Sequence, residues 1–320
     1  MQNKISKSQN INLGLIGAGN WGRNYIRTIN KMDNVKLVSV LSNNPNTKKK
    51  VPKGCQIVNN IFDFLKIQNL DGAIVASPPN THFKLAKKLI ENNIPIIIEK
   101  PITTSLSEAE NILAEAKSKN SIVFVDHIFL YHPTFKILKN FVKKKEKIKL
   151  IRGIGGNKGP IRKDVSSLWD WGPHDLSMCL IILDSMPLEI FAEKVEKNLN
   201  NIHCGENIKI NLIFKNSIRA EFLVGNSFTK KIRKFSIEFN NEILEFTPFE
   251  KKSLIYKNIS NKEALKIFDS RKEKELGKPP LNILVEEFCK SIRIGEQNIA
   301  DLELSVKVIN ILEEIDKIIN

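Results

Sequence analysis

Residues able to do chemistry first stand out in the stretch 94–101, where an isoleucine-rich run meets Glu99, Lys100 and Pro101. Such a run predicts a strand buried on both faces, as in a parallel sheet, and Pro101 removes the donor that further pairing needs. Because ligands bind outside the carboxyl ends of parallel strands, Lys100 is predicted to lie where a reacting group would lie. A solvated strand end fits Glu99 and Lys100 equally well, and these residues alone leave both interpretations open.

A second motif, Gly17-x-Gly19-x-x-Gly22, follows an apolar strand predicted at 11–16 and precedes a predicted helix. In that setting Gly17 permits a tight turn, Gly19 lets the backbone approach a pyrophosphate, and Gly22 lets helix and strand pack closely. The helix N-terminus then offers free N–H groups to the phosphate. The motif predicts a dinucleotide site, and a plain glycine-rich loop is the alternative.

The strand predicted at 35–41 should end near the adenosine ribose of such a ligand. NAD sites usually place an acidic residue there, about 20 residues after the glycines, to accept from the ribose hydroxyls. This chain has Ser42 and Asn43 instead, and the lysines at 48–50 are close in sequence. NADP is therefore predicted to suit the site at least as well as NAD.

Asp170 and His174 form a third candidate pair, within the stretch 168–176. Gly172 and Pro173 are predicted to break the backbone so that His174 opens a helix, and both polar side chains could then point into one site. A histidine that titrates near pH ~6.5 is suited to taking a proton from an alcohol. The alternative is a structural His–Asp pair at a helix start, with the neighbouring tryptophans in the core.

Strands and helices must alternate to position these motifs, and they do so up to about residue 126. Another buried strand is predicted at 71–77, which places Ser77 and Pro78 at the crevice. Thr81 is predicted to cap the following helix, and His82 is either functional or structural at that helix start. The alternation predicts an α/β Rossmann domain with a doubly wound, mainly parallel sheet over residues 1–126.

The pattern changes from residue 127 onward, because strands follow one another with short turns. They are predicted at 150–154, 189–195, 208–214, 218–224, 234–239 and 242–246. This indicates an antiparallel meander and a second, α+β domain over 127–320, with a large, mainly antiparallel sheet. Helices are predicted at 281–294 and 301–319, and the last helix could pack back on the first domain.

Composition is that of a soluble globular protein, with 42% apolar and 27% charged residues. No apolar run approaches the ~18 residues that a membrane span needs. Residues 1–10 are polar and lack the apolar segment of a signal peptide, so a cytoplasmic location without membrane association is expected. The four cysteines and five histidines lack metal-ligand spacing, so no metal is expected.

A formal net charge of +15 raises the question of nucleic-acid binding. The lysines, however, are spread over the whole length among many isoleucine and asparagine residues, as a compositional bias would place them. No nucleic-acid partner is therefore expected, and a small substrate that bears phosphate suits the charge equally well.

Taken together, the motifs make the chain resemble the glucose–fructose oxidoreductase / inositol dehydrogenase / MocA family. The matching residues are Gly17-x-Gly19-x-x-Gly22, Ser77-Pro78-Pro79-Asn80-x-His82, Glu99-Lys100-Pro101 and Asp170-x-x-x-His174. The resemblance implies an NAD(P)-dependent dehydrogenase that acts on CH–OH groups of a sugar, polyol or nucleotide sugar. Residues 126–133 and 168–170 are similar to the branch that acts on UDP-amino-sugars.

Residue roles follow from this resemblance only. Lys100 would hydrogen-bond the reacting oxygen, and His174 would be the general acid/base, with Asp170 as its partner. The cofactor, NAD or NADP, would contact Gly17, Gly19, Asn20, Trp21, Gly22, Ser42, Asn43, Ser77, Pro78, His82, Glu99 and Lys100. A homo-oligomer, either a dimer or a tetramer, is also expected. The alternative is a non-catalytic NAD(P)-binding regulatory or sensor protein.

Overall fold

A computed structural model describes residues 10–145, 147–159, 162, 164–195, 205–260, 264–269 and 277–320. The expectation for the polar N-terminus, except at Asn10, lies outside the described residues, as does Cys204. The chain divides into two compact units. The first contains the described residues up to His127 together with Leu281–Val306, and the second contains those of Ile128–Pro280 together with Lys307–Asn320.

Strands and helices are numbered in chain order. The described strands are β1 (Ile11–Ile16), β2 (Val35–Leu41), β3 (Gln56–Val58), β4 (Gly72–Val75), β5 (Ile96–Glu99), β6 (Val123–Asp126), β7 (Leu150–Lys158), β8 (Glu189–Val195), β9 (Asn207–Ile213), β10 (Arg219–Gly225), β11 (Ser227–Glu238), β12 (Glu242–Phe246), β13 (Lys252–Asn258) and β14 (Ala264–Asp269). The described α-helices are α1 (Gly22–Ile29), α2 (Ile61–Leu65), α3 (His82–Glu91), α4 (Leu106–Ser118), α5 (Pro133–Val142), α6 (Ser167–Leu183), α7 (Pro280–Ile294) and α8 (Ala300–Ile319).

The first unit contains a six-stranded sheet in the order β3-β2-β1-β4-β5-β6, with every neighbouring pair parallel. The order reverses between β1 and β4, which is the switch point where doubly wound sheets bind ligands. The isoleucines of β5 are all 0% exposed, as a strand covered on both faces requires. The Rossmann-type prediction is therefore confirmed, and β3, which is short and not fully buried, is a strand that the sequence reasoning missed.

Close contact with β4 explains why α7 belongs to the first unit. A Cβ atom added at Gly72 would lie 3.0 Å from Phe288 and Ile292, so the glycine lets the helix approach the strand. The segment after α7 also joins this unit, since the Val123 N–H donates to the Asn298 carbonyl.

The second unit contains an eight-stranded sheet in the order β14-β13-β12-β11-β7-β10-β9-β8. Its pairs are antiparallel except that β7 and β10 are parallel, so the simple meander predicted for this region is wrong. The reason is the connection between those two strands, which contains α6 and the β8–β9 pair. Parallel neighbours need such a long crossover. The prediction of a large, mainly antiparallel sheet is confirmed.

Helix α6 runs without a break from Ser167 to Leu183, although Pro173 lies inside it. The break predicted at Gly172 and Pro173 is therefore wrong, and so is the helix start at His174. Packing overrides the proline, since most of the helix is buried and a Cβ atom at Gly172 would lie 2.9 Å from Leu312. Asp170 and His174 consequently lie one turn apart on one helix face.

The helix α3 begins at His82 without a side-chain cap, so the predicted capping by Thr81 is wrong. The Thr81 hydroxyl instead donates to the Pro78 carbonyl at 2.7 Å and lies 2.6 Å from the Ser77 hydroxyl. A local bond of this kind competes with capping for the same side chain. No helix in the described part of the chain is both long and apolar enough to cross a membrane.

The N-cap of α5 generates a testable prediction. The ring nitrogen Nδ1 of His132 accepts from the Thr134 N–H at 3.2 Å, and burial lowers the pKa of His132 from 6.5 to about 4. Since protonation then favours the unfolded chain, this contribution to stability is complete above about pH 6.5 and is lost as the pH falls toward 4. The substitution His132→Asn keeps a cap acceptor that does not titrate.

We therefore expect the melting temperature of His132→Asn to fall less between pH 7 and pH 5 than that of the wild type. Thermal unfolding followed by circular dichroism at the two pH values measures the difference. Equal decreases in both proteins would contradict the prediction.

Candidate active site

A cavity of about 710 Å³ opens at the carboxyl ends of β1, β2 and β4 in the first unit. It is lined by Ile16, Gly17, Ala18, Gly19, Leu41, Ser42, Asn43, Asn44, Ser77, Asn80, Thr81, Lys84 and Leu85. Five of these, Gly17, Gly19, Ser42, Asn43 and Ser77, are among the predicted cofactor contacts. The cavity thus lies at the sheet edge where a dinucleotide was expected.

The glycine motif of this cavity fits a pyrophosphate. Gly17 has φ +97°, and a Cβ there would lie 2.6 Å from the Ala76 carbonyl oxygen, so only glycine suits this turn. A Cβ at Gly22 would lie 2.0 Å from the Gly17 carbonyl oxygen. Around Gly19, by contrast, no described atom lies within 4 Å of an added Cβ, which leaves its backbone open to a ligand.

The far end of the cavity lies beside Ser42, which follows β2. Its hydroxyl lies 2.8 Å from that of Thr47 and accepts from the Asn44 N–H at 3.2 Å. Among the described residues that line the cavity there is no carboxylate, and Lys84 is the one charged side chain. This end therefore has no negative charge to repel a ribose 2′-phosphate. Sequence reasoning missed Asn80 and Lys84 as lining residues.

The ends of β5 and β6 bring two carboxyl groups together. Glu99 and Asp126 are register partners and are only 7% and 1% exposed. Asp126 Oδ2 accepts from the Tyr25 hydroxyl at 2.7 Å and from the Trp21 indole N–H at 3.1 Å. Burial, and next the charge of Asp126, raises the pKa of Glu99 well above its usual value, and nearby Lys100 opposes this rise. Sequence reasoning missed Asp126 as part of this cluster.

His82 connects the end of β4 to the turn after β5. It is fully buried, with Nε2 2.8 Å from the Ser77 carbonyl oxygen and Nδ1 2.9 Å from the Pro101 carbonyl oxygen. The side chain therefore links the backbone at Ser77 with that at Pro101, the residue after Lys100, and it does not line the cavity.

Three further residues predicted to contact the cofactor, Asn20, Trp21 and Pro78, do not line this cavity. The Asn20 amide oxygen accepts from Arg23, and the Pro78 carbonyl accepts from the Thr81 hydroxyl. Trp21 is 39% exposed in the glycine loop while its N–H is held by Asp126. Glu99, Lys100, His82 and Gly22 also lie outside the cavity lining.

His174 lies in an aromatic environment in the second unit. Its ring lies 4.9 Å from the Phe129 ring and 6.3 Å from the Trp171 ring, both edge-on. The guanidinium carbon of Arg233 lies 4.9 Å and 5.5 Å from the same two ring centres. The rings of Phe129 and Trp171 therefore each contact both the imidazole of His174 and the buried guanidinium of Arg233.

Arg233 is paired with Asp175, the residue after His174, and both side chains are 0% exposed. Burial raises the pKa of Asp175, and the Arg233 guanidinium opposes that rise. Two glycines on β7 make room for the pair. A Cβ atom added at Gly153 would lie 2.5 Å from the Asp175 side chain, and one added at Gly155 would lie 2.5 Å from the Arg233 side chain. Sequence reasoning missed this pair, although glycines at alternate strand positions are a signal of a close approach.

Asp170, the predicted partner of His174, accepts from Arg162 at 3.0 Å. Arg162 also forms two hydrogen bonds with Asp164. The carboxylate of Asp170 therefore shares a cation with a second acid. Within the described residues, no group of three or more His, Cys, Asp or Glu side chains is placed to hold a metal ion.

Comparison with known proteins bears on the first unit directly. Residues 11–127 match the model of a family described as "Oxidoreductase family, NAD-binding Rossmann fold", GFO_IDH_MocA. The match spans all six strands of the parallel sheet. The match confirms the resemblance inferred from the glycine and Glu-Lys-Pro motifs, and the family is NAD-binding by its description.

Two curated relatives align with part of the chain. The "Uncharacterized oxidoreductase YdgJ" of Escherichia coli K12 is 29% identical over 136 residues, which are 42% of this chain and 39% of that protein. The UDP-N-acetylglucosamine 3-dehydrogenase of Acidithiobacillus ferrooxidans is 23% identical over 181 residues, 56% of each protein. The chain thus spans about half the length of the curated relatives it matches.

Solved structures extend the likeness of fold to nearly the whole chain. A Magnetospirillum magnetotacticum MS-1 protein classed as a candidate oxidoreductase is 28% identical, with a TM-score of 0.84 over 95% of this chain and 99% of that one. The Acidithiobacillus dehydrogenase has a TM-score of 0.80 at 17% identity, over 97% of this chain and 98% of that one. Both units therefore share their fold with this group of structures.

The buried ion pair of the second unit generates a prediction. Arg233→Met leaves the Asp175 carboxylate buried without its cation, which should cost about 3–5 kcal/mol of unfolding free energy. Arg152→Met is the matched control on β7, because Arg152 is 48% exposed and its surface pairs with Glu221 and Glu238 should contribute only about 0–1 kcal/mol.

Denaturant unfolding of the two variants and of Arg233→Met/Asp175→Leu measures these effects. The double variant should recover much of the loss, since it removes both charges. Equal stability of the Arg233 and Arg152 variants would contradict the prediction.

Proposed function

We propose that the protein is an NAD(P)-dependent oxidoreductase that moves hydride between nicotinamide and a carbinol or ketone carbon of a sugar, polyol or nucleotide sugar. The observation that supports this most directly is the cavity at the switch point of a sheet whose family is NAD-binding. Its glycine loop has the close approaches that a pyrophosphate requires. The UDP-N-acetylglucosamine 3-dehydrogenase among the relatives supports a nucleotide sugar, including a UDP-amino-sugar, as substrate.

The glycine loop would hold the pyrophosphate, and Ser42 and Asn43 would face the adenosine ribose. Gly19 offers open backbone for the first contact, while Ser77 bounds the cavity at the end of β4. A bound nicotinamide dinucleotide supplies the acceptor or donor of hydride. The protein's part is to position the reactants and to handle the proton.

Lys100 and His174 would handle that proton in the proposed reaction. Oxidation of a secondary alcohol removes the hydroxyl proton as hydride leaves carbon, so one base and one cation at that oxygen suffice. The ammonium of Lys100 would donate to the reacting oxygen, and His174 would take the proton. Asp170, one helical turn before His174, would act as its partner, although it also bonds Arg162.

A non-catalytic dinucleotide-binding protein is the second candidate, because the cavity by itself requires binding and not turnover. A panel of sugars and nucleotide sugars assayed with each dinucleotide distinguishes the two. Turnover of any member supports the enzyme, whereas tight dinucleotide binding without turnover supports the sensor. We also propose a homo-oligomer, which light scattering coupled to size-exclusion chromatography would test.

Dinucleotide binding gives the first prediction of this function. Fluorescence titration should show binding of NADPH at least as tight as that of NADH, because no carboxylate of the described residues lines the cavity. Lys84→Ala should weaken NADPH binding more than NADH binding if this cation reaches the 2′-phosphate. Lys119→Ala, at an exposed position distant in sequence, is the control. Equal weakening of both nucleotides would contradict a role for Lys84 in the choice.

Turnover gives the second prediction. Lys100→Ala and His174→Ala should each lower kcat about 10²–10⁴-fold, the usual contribution of a positioned acid or base. Steady-state assays on the best substrate of the panel, with melting curves to verify folding, provide the measurement. Unchanged kcat in a folded variant would remove that residue from the mechanism, and Lys119→Ala should retain full turnover.

A further inference from the structure

Two buried carboxyl groups in the first unit, Glu99 and Asp126, lack a donor on one oxygen each. Within the described part of the chain, no hydrogen-bond donor reaches Glu99 Oε1 or Asp126 Oδ1. The two groups lie at paired positions of neighbouring strands and within hydrogen-bonding reach of each other. Neither is more than 7% exposed, so water does not solvate them freely.

Two ionised carboxylates cannot share such a site, because burial and mutual repulsion both oppose the second charge. A single proton between them removes the repulsion and gives the pair a hydrogen bond, since a carboxylic acid donates one hydrogen bond and a carboxylate accepts it. The remaining negative charge belongs on the group with more donors. That group is Asp126, whose Oδ2 already accepts from Tyr25 and Trp21.

We propose that Glu99 and Asp126 share one proton, with Glu99 as the donor and Asp126 as the charged acceptor that positions Trp21 in the dinucleotide-binding loop. Among the described residues, the charged and titratable groups around the pair include Lys100, after β5, Tyr25, on α1, and the buried His127, next in sequence to Asp126. Burial raises the pKa of both acids, and Lys100 opposes the rise in each. One net negative charge thus faces the ammonium of Lys100.

Trp21 and Tyr25 are four residues apart, at the glycine loop and in the first helix that follows it. A single acceptor on β6 therefore fixes both the loop and the start of α1. Glu99 and Asp126 are positioning residues in this scheme, because they act through Trp21. The role of the pair in positioning Trp21 for dinucleotide binding rests on the proposed function, whereas the shared proton does not.

Infrared spectroscopy tests the proton directly. The difference spectrum of wild type minus Glu99→Gln at neutral pH should contain the C=O stretching band of a protonated carboxylic acid, shifted in deuterium oxide. Glu91→Gln, which changes an exposed glutamate of the same unit, should give no such band. Absence of the band from the Glu99→Gln difference spectrum would overturn the proposal.

Binding measurements test the positioning. Glu99→Leu removes the donor and should raise the Kd of the dinucleotide that binds best by about tenfold, as expected for loss of a hydrogen bond to a charged group. Glu99→Gln should raise it less, because its amide N–H can donate to Asp126 as the acid does. Equal weakening by both substitutions would mean that Glu99 acts by its charge, which contradicts the proposal.

The indole N–H signal of Trp21 in nitrogen–proton NMR spectra provides a readout that needs no ligand and no leucine variant. It is assigned by its loss in Trp21→Phe. We expect it to remain protected from solvent exchange in Glu99→Gln, and its loss of protection there would contradict the proposal. If wild type binds neither dinucleotide, the proposed function fails, while the infrared and NMR measurements still decide the shared proton.

Discussion

The cost of burying charge organises the first unit of this protein. Parallel pairing of β5 with β6 places Glu99 and Asp126 side by side, and both side chains are buried. Such groups are tolerated only when they are hydrogen-bonded or neutralised. The donors come from Trp21 and Tyr25, which belong to the glycine loop and to α1. The glycine loop is therefore hydrogen-bonded to β6, the edge strand of the sheet, through the Asp126 carboxylate.

The same constraint operates within the second unit. Asp175 and Arg233 are both fully buried, so each requires the other, and β7 accommodates them with glycines. Phe129 and Trp171 lie over the guanidinium and also contact His174. A pair that contributes little net stability can still fix the surroundings of a functional side chain, because breaking it leaves an uncompensated charge. The environment of His174 follows from this pair.

Regular patterns predicted most of the fold. The limits of β1 and β2 follow from their apolar runs, and the isoleucines of β5 are buried as such a run requires. The short strand β3 was missed because its three residues carry no clear period. The helix break expected at Pro173 is wrong because packing of α6 against Leu312 overrides the local propensity of proline. The parallel pairing of β7 with β10 depends on long-range contacts that no local pattern encodes.

The kind of site follows from local sequence patterns alone. Three glycines at fixed spacing between a strand and a helix require a close backbone approach, and residues 11–127 match the NAD-binding family that this pattern indicated. The side chains that complete this site are brought together by long-range contacts instead. Asp126 is 27 residues from Glu99 in the chain, and Arg233 is 58 residues from Asp175, yet each pair is in contact. Spacing encodes local backbone geometry, whereas the pairing of buried charges depends on strand order and burial, which arise only when the chain is folded.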